Sequence, residues 1–530
     1  MRTRTSLAVL ATATTLSATH AHPHLNQHRH SHTPRATSTD WFYAFQAPSL
    51  AQIDPTPAAA AASTVTSLVY ATITVSAQPH GTAPWGYRGS DMATFPPGTG
   101  ASAAYPTGSS NSSVTLKPSQ VNATQSAGPT ATAPAAPAMP STLRGVNLGG
   151  WLILEKWMNS DCFEGTDAVD QWTFDQTDGA VAKLKQHWET YITENDIKAI
   201  AGLGLNAVRI PIGYWAYDTF GSGYITGADA YLERAIGWCR SAGLKVLVDC
   251  HGSPGSQNGF DNSGRFGNVA WQDKAQSNGT TNMQKSISIL QTMARKYGAP
   301  AYADVVFGLE LVNEPISWQQ NNLETTKSWA QEAYAAVRSV ATNKNLQIIM
   351  HDGFMGPSQW LDVNAAILGN TSASANSSAP APFAIDTHLY QNQMAADSSL
   401  TQDQHIAKAC NWTSSALLSS TANLPVYVGE FSAQTNICAN PDGSTVAGST
   451  CYIDGCQCST NVDMQYWNGP LKTATRKFIE AELDAFERGA KGWFMWNYKG
   501  PGAWGVSNLV KYGVMGKVTE RMFPGQCHFG

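Results

Sequence analysis

Two glutamates stand out as a possible catalytic pair: Glu314 in Leu311-Val-Asn-Glu-Pro315 and Glu430 in Val426-Tyr-Val-Gly-Glu-Phe431. Two carboxylates that converge on one sugar suit glycoside hydrolysis, where one protonates the leaving oxygen and the other attacks the anomeric carbon. Retention of configuration needs them about 5–5.5 Å apart. At that distance each disfavours ionisation of the other, so their surroundings must hold one neutral and one charged. Arg209 is read as the cation that keeps Glu430 ionised, with Tyr390 donating it a hydrogen bond. No cation is evident for Glu314, which is therefore assigned as the proton donor. Asn313, His251 and His388 carry groups that can satisfy ring hydroxyls, and Trp496 offers a flat face to a pyranose. His351 and Asp352 receive no role.

These residues fall at the ends of short apolar runs. The runs are 144–151, 206–212, 245–251, 305–315, 347–353, 383–390, 425–431 and 492–498. Amphipathic stretches separate them: Leu232, Ile236 and Cys239 lie on one helical face, and Ile479, Leu483 and Phe486 on another. Runs apolar on both faces are buried parallel strands. Eight of them alternating with helices predict an α/β fold, a (β/α)8 TIM barrel over 141–530, whose active face is the carboxyl end of the strands. An open doubly wound sheet is disfavoured, since no glycine-rich phosphate turn follows an early strand. Strand interiors read as mostly Val, Ile, Leu and Phe, with the polar residues gathered at one end.

The 530-residue chain has a formal charge of −5, and only 13% of its residues are charged. No polyanion-binding footprint is visible, and no apolar run approaches the roughly 20 residues of a membrane span. Residues 1–21 read as a secretory signal, with Arg2 and Arg4 before an apolar stretch. Residues 22–140 are dominated by Ala, Ser, Thr and Pro, and from Ala101 to Pro140 contain no acid. They predict a disordered, glycosylated linker or stalk. Its His cluster (His20 to His32) is not read as a metal site. Sequons at Asn111, Asn122, Asn278, Asn370, Asn376 and Asn411 agree with secretion. The end of the chain, Cys527-His-Phe-Gly530, carries no hydrophobic tail for a lipid anchor. Neither a His-Glu-x-x-His metal motif nor a Gly-x-Ser-x-Gly nucleophile elbow occurs, so no metal and no cofactor are expected.

Several long segments resemble fungal exo-β-1,3-glucanases of glycoside hydrolase family 5. They are Arg144-Gly-Val-Asn-Leu-Gly-Gly-Trp-Leu-Ile-Leu-Glu155, the run 206–215, His251-Gly-Ser-Pro-Gly-Ser-Gln-Asn-Gly-Phe-Asp-Asn-Ser-Gly264, and the Asn-Glu-Pro and Gly-Glu-Phe segments. The likeness covers about 143–527 and none of the stalk. It implies Glu314 as acid/base and Glu430 as nucleophile, with Arg209, His251, Asn313, His388, Tyr390 and Trp496 at active-site positions. It further implies that Glu155 holds hydroxyls of the terminal glucose in a blind pocket, and that Phe260 flanks the entrance. Gln393 stands where the family has a second entrance aromatic. The resemblance also implies a Cys410–Cys527 bridge and most plausibly Cys438–Cys456, with Cys451 and Cys458 as a further pair. Cys162, Cys239 and Cys250 are left as thiols, at least one of them unpaired because nine is odd.

The resulting expectation is a secreted, monomeric, retaining hydrolase of the extracellular space or cell wall that removes glucose from non-reducing ends of β-1,3-glucan. Cleavage of another linkage such as β-1,6, endo action, or a non-catalytic glucan-binding wall protein are the alternatives.

Overall fold

The computed structural model describes residues 139–273, 279–369, 383–392, 394, 396–418 and 424–529. The signal, the stalk up to residue 138, the His cluster, Gln393 and every sequon except Asn411 lie outside them.

All eight expected strands form. They are β1 (Leu143–Asn147), β2 (Ala207–Gly213), β3 (Lys245–Gly252), β4 (Val306–Glu310), β5 (Gln347–His351), β6 (Phe383–His388), β7 (Val426–Phe431) and, after three short strands, β11 (Gly492–Met495). Every pairing is parallel, and β1 closes on β11 to complete a barrel. The strands are apolar on both faces because both are covered: β2 and β3 are buried throughout. Helices fill the outer layer. Leu232, Ile236 and Cys239 on the helix Ala228–Ala242, and Ile479, Leu483 and Phe486 on the helix Gly469–Gly489, are all fully buried against it.

The barrel interior is layered. At the amino end Leu143, Ala207, Leu247, Phe307, Ile349, Ala384, Tyr427 and Phe494, one from each strand, form an apolar plug. Side chains alternate faces along a strand, so the next inward position lies two residues on. There Ala207 is followed by Arg209, Leu247 by Asp249, and Ala384 by Asp386. The expectation of apolar strand interiors therefore fails one layer above the plug, where Arg209, Asp249, Glu310 and Asp386 are all fully buried.

Five strands, β1, β4, β5, β6 and β11, stop earlier than the apolar runs suggest. β4 ends at Glu310, so Asn313 and Glu314 ride on the turn beyond it, and Glu314 itself adopts a left-handed backbone (φ 46°). β11 ends at Met495, leaving Trp496 on the following turn.

Between β7 and the helix Gly469–Gly489 sits a small antiparallel sheet of β8 (Ile437–Ala439), β9 (Thr445–Ala447) and β10 (Gln457–Cys458), in the order β10-β8-β9. It corrects two disulfides. Cys438 bonds Cys458 and Cys451 bonds Cys456, in place of Cys438–Cys456 and Cys451–Cys458. The cause is register: β10 pairs with β8 so that Cys458 stands directly opposite Cys438. Cys451 and Cys456 then close a short loop. Cys410–Cys527 forms as expected and ties the C-terminal segment to the helix Gln402–Trp412. Cys239 and Cys250 are buried thiols, and Cys162 is half-buried.

Candidate active site

Arg209 organises the carboxyl mouth from β2. Its Nε donates to Glu310 Oε2 (2.8 Å), Nη1 to Glu430 Oε1 (3.0 Å) and Asn147 Oδ1 (3.1 Å), and Nη2 to Asn313 Oδ1 (2.8 Å). Nη2 also lies 3.1 Å from Asp249 Oδ2. A planar fork engaged on every side has one available orientation. Burial opposes its charge, but Asp249, Glu310, Glu430 and Asp386 outweigh burial and hold its proton well above the ordinary arginine range.

Glu430 comes inward through an irregularity in β7, where pairing with β6 shifts and sets His388 opposite Glu430. Gly429 before it has to be glycine, because a Cβ there would lie 1.8 Å from Asp386 Oδ2. Glu430 Oε2 accepts the Tyr390 hydroxyl at 2.8 Å.

Glu314 is braced from behind. Gln257 donates to the carbonyls of His251 (2.7 Å) and Asn313 (2.9 Å), pinning the turn that carries it. Its Oε2 accepts from Asn262 Nδ2 (2.7 Å), and its Oε1 lies 2.7 Å from His388 Nδ1. The expectation that Glu314 has no cation is thus corrected: His388 is its partner. His388 Nδ1 is also 3.4 Å from Glu430 Oε2, so one imidazole nitrogen lies between the two glutamates.

Burial and Glu314 raise Glu430 above the ordinary range despite His388 and Arg209. Burial raises Glu314 too, but the hydrogen bond and charge of His388 win and leave it low. Taken alone, this reverses the division that a donor and a nucleophile require. The direct partners decide it. A guanidinium can only donate, and the Tyr390 hydroxyl donates here, so both oxygens of Glu430 are occupied as acceptors and the bare carboxylate fits. Glu314 instead faces an imidazole nitrogen, which can give or take a proton. Burial works against a charge on His388, but Glu430 and Asp386 outweigh it and raise His388 well above its usual value. One proton therefore resides on the 2.7 Å His388–Glu314 bond.

The other expected site residues divide in two. Glu155, Tyr390 and Trp496 stand around the pair, and half-buried Phe260 precedes the short turn Asp261–Ser263 that carries Asn262; Glu155 Oε2 accepts from Trp157 Nε1 at 3.0 Å. Burial and neighbouring Asp261 push Glu155 well above the ordinary range, and desolvation raises half-buried Asp261 to about 6. Gly149 is glycine because the Trp496 ring lies against it, 2.4 Å from where a Cβ would stand. His251, Asn313 and His388, expected to bind hydroxyls, each meet protein groups here. His251 Nδ1 is 2.6 Å from Asp249 Oδ2, its Nε2 faces Asn313 Nδ2 at 3.4 Å, and its ring lies parallel to Trp496.

Sequence reasoning missed Asn262, Asn147, Gln257 and the acids Asp249, Glu310 and Asp386. A signal existed for two of them: Asp249 and Asp386 stand two residues before His251 and His388, on the same strand face. His351 now has a place. Its Nδ1 accepts from Gly353 N–H (3.0 Å), which puts its hydrogen on Nε2, and its ring meets His388 edge-on at 4.3 Å.

Two three-residue groups could offer metal ligands, Glu314/His351/His388 and Glu310/Asp386/His388. The Nε2 hydrogen of His351 disqualifies it in the first. In the second, Arg209 Nε lies 2.8 Å from Glu310 and 3.7 Å from Asp386, where a metal cation would be repelled.

A closed (β/α)8 barrel whose mouth holds two opposed, buried carboxylates over one guanidinium is the architecture of a glycoside hydrolase. Comparison with known proteins carries this further. Residues 168–468 match the family model described as Cellulase (glycosyl hydrolase family 5). The chain is 37% identical over 409 residues to a Yarrowia lipolytica protein named glucan 1,3-beta-glucosidase, covering 73% of this chain and 91% of that one. It is 36% identical over 410 residues to an Arthroderma benhamiae protein named probable glucan 1,3-beta-glucosidase, at 73% and 92% coverage. The crystal structure of rutinosidase from Aspergillus niger superposes with a TM-score of 0.53 at 21% identity, over 70% of this chain and 97% of that one, a likeness of fold. The chain belongs to glycosyl hydrolase family 5.

Proposed function

We propose that this enzyme removes glucose from the non-reducing ends of β-1,3-glucan, retaining configuration through a glucosyl ester on Glu430. The carrying observation is the asymmetry of the pair: Glu430 is held by donors alone, Glu314 by a group that exchanges protons. The names of the relatives supply the glucan and its linkage.

In the first step Glu430 attacks the anomeric carbon while the proton on the His388–Glu314 bond, delivered through Glu314, passes to the departing oxygen. Arg209 and Tyr390 fix the attacking carboxylate. In the second step Glu314, now a carboxylate, takes a proton from water, and the hydroxide so formed displaces Glu430. Trp496 supplies a face for the sugar ring, Glu155 binds hydroxyls of the terminal glucose, and Phe260 stacks on the next residue. Residues 1–21 direct secretion, and 22–140 form a glycosylated stalk that places the barrel, acting as a monomer, in the wall or outside the cell.

Time-resolved proton NMR of laminarin digestion tests the reading. Glucose as the sole early product, appearing first as the β-anomer, is expected. A ladder of oligomers overturns exo action, an α-first product overturns retention, and preferential loss of β-1,6 linkages overturns the linkage.

A further inference from the structure

Below His388 lies a group of buried polar atoms that the reaction as described does not use. Glu310 Oε1, Asp386 Oδ2 and His388 Nε2 are each buried without a hydrogen-bond partner among the described residues. One ligand-capable atom from each of these three residues lies within 4.8 Å of the other two, and His388 Nε2 is 3.4 Å from Asp386 Oδ2. Unpartnered buried polar atoms on three residues this close together suit a single bridging water, which typically makes about three hydrogen bonds. The remaining oxygens are tied down: Glu310 Oε2 takes Arg209 Nε (2.8 Å), and Asp386 Oδ1 takes Gly429 N–H (2.5 Å). The acids therefore cannot swing to other partners. The opposite edge of the same imidazole makes the 2.7 Å bond to Glu314.

We propose that Asp386 and Glu310 are positioning residues that, bridged by one buried water to His388 Nε2, keep a hydrogen on His388 Nδ1 for exchange with Glu314. This rests on Glu314 being the proton donor. The balance is simple. The Nδ1 hydrogen moves to Glu314 Oε1 and on to the leaving oxygen, leaving neutral imidazole with its Nε2 hydrogen directed at Asp386. The water of the second step returns one proton to Glu314 and so to Nδ1. Asp386, a fixed negative charge at the far edge, favours the imidazolium and makes the ring a store rather than a spectator. The other ionisable groups facing His388 are Glu314, Glu430, Arg209 and neutral His351, with Asp352 close behind. Burial, reinforced by Asp249 and Asp386, raises Glu310 well above the ordinary range against the pull of Arg209.

The test compares Asp386→Asn and Glu310→Gln with Asp249→Asn, an equally buried acid on Arg209 that does not touch His388. Asp386→Asn is expected to move the alkaline limb of kcat/KM on an aryl glucoside down by about one pH unit, so about tenfold less activity above it, with KM nearly unchanged. Glu310→Gln moves it the same way by less. Asp249→Asn lowers kcat without moving the limb. Nitrogen-15 NMR of the unliganded protein reads His388 directly, so it is independent of turnover and remains usable if laminarin proves not to be the substrate. The expected result is a doubly protonated ring that persists well above the ordinary histidine range in the wild type and titrates lower in Asp386→Asn. A His388 that titrates identically in wild type and both variants overturns the proposal, as does a crystal structure with no water between the three residues.

Discussion

The two ends of the barrel interior are built from the same eight strands and solve opposite problems. At the amino end each strand contributes one side chain to an apolar plug, which needs only to exclude water. One layer up, one guanidinium is set among the acids Asp249, Glu310, Asp386 and Glu430. Such a cluster is poor value as a stabiliser, since removing charges from water costs several kcal/mol each and mutual attraction roughly offsets it. What the upper layer contributes is orientation. The lower layer supplies the stability that lets the upper one exist.

Breaking the upper layer gives the largest expected effect. Arg209→Met should cut kcat/KM by more than about a thousandfold and cost about 3–5 kcal/mol, because three or four acids lose their shared cation. Aryl-glucoside kinetics and chemical denaturation read the two together. A variant that stays stable but inactive would show that the acids are neutral without Arg209.

In the lower layer the balance inverts. Phe307→Ala should cost about 3–5 kcal/mol of stability and leave kcat/KM at 25 °C within about threefold. An equal loss of activity would mean that the plug transmits strain to the mouth.

The smallest effect sharpens the contrast with an acid that has no cation beside it among the described residues. Both oxygens of Glu482, fully buried on the helix Gly469–Gly489, lack a hydrogen-bond partner among the described residues, and burial raises it well above the ordinary range. The folded protein therefore binds a proton that the unfolded chain gives up near pH 4–5, and stability falls as pH rises from there through the folded value. Glu482→Gln should remove that slope and raise the unfolding midpoint at pH 7 by about 2–4 °C, measured by calorimetry at several pH values. A midpoint unchanged at every pH would show that Glu482 is paired.

What could be read from the chain follows from range. The eight strands, the buried faces of two helices, and the Glu314 and Glu430 segments are local patterns, so periodicity and motif sufficed. Asp249, Glu310 and Asp386 were passed over because a charge inside an apolar run looks like an interruption; its meaning depends on Arg209, far away in sequence. His388 was read as a sugar ligand because nothing near it in sequence announces that Glu314 and Asp386 take its two edges. The disulfide error has the same origin. Four cysteines permit three pairings, and only the β8–β10 register chooses among them.

The ring of Trp496 rests on Gly149, across the seam where the first strand of the barrel meets the last. The mouth is thus finished by residues that leave the ribosome some 350 positions apart. A chain interrupted before this point lacks the strand that closes the barrel, so the mouth is completed only by the last strand to be made.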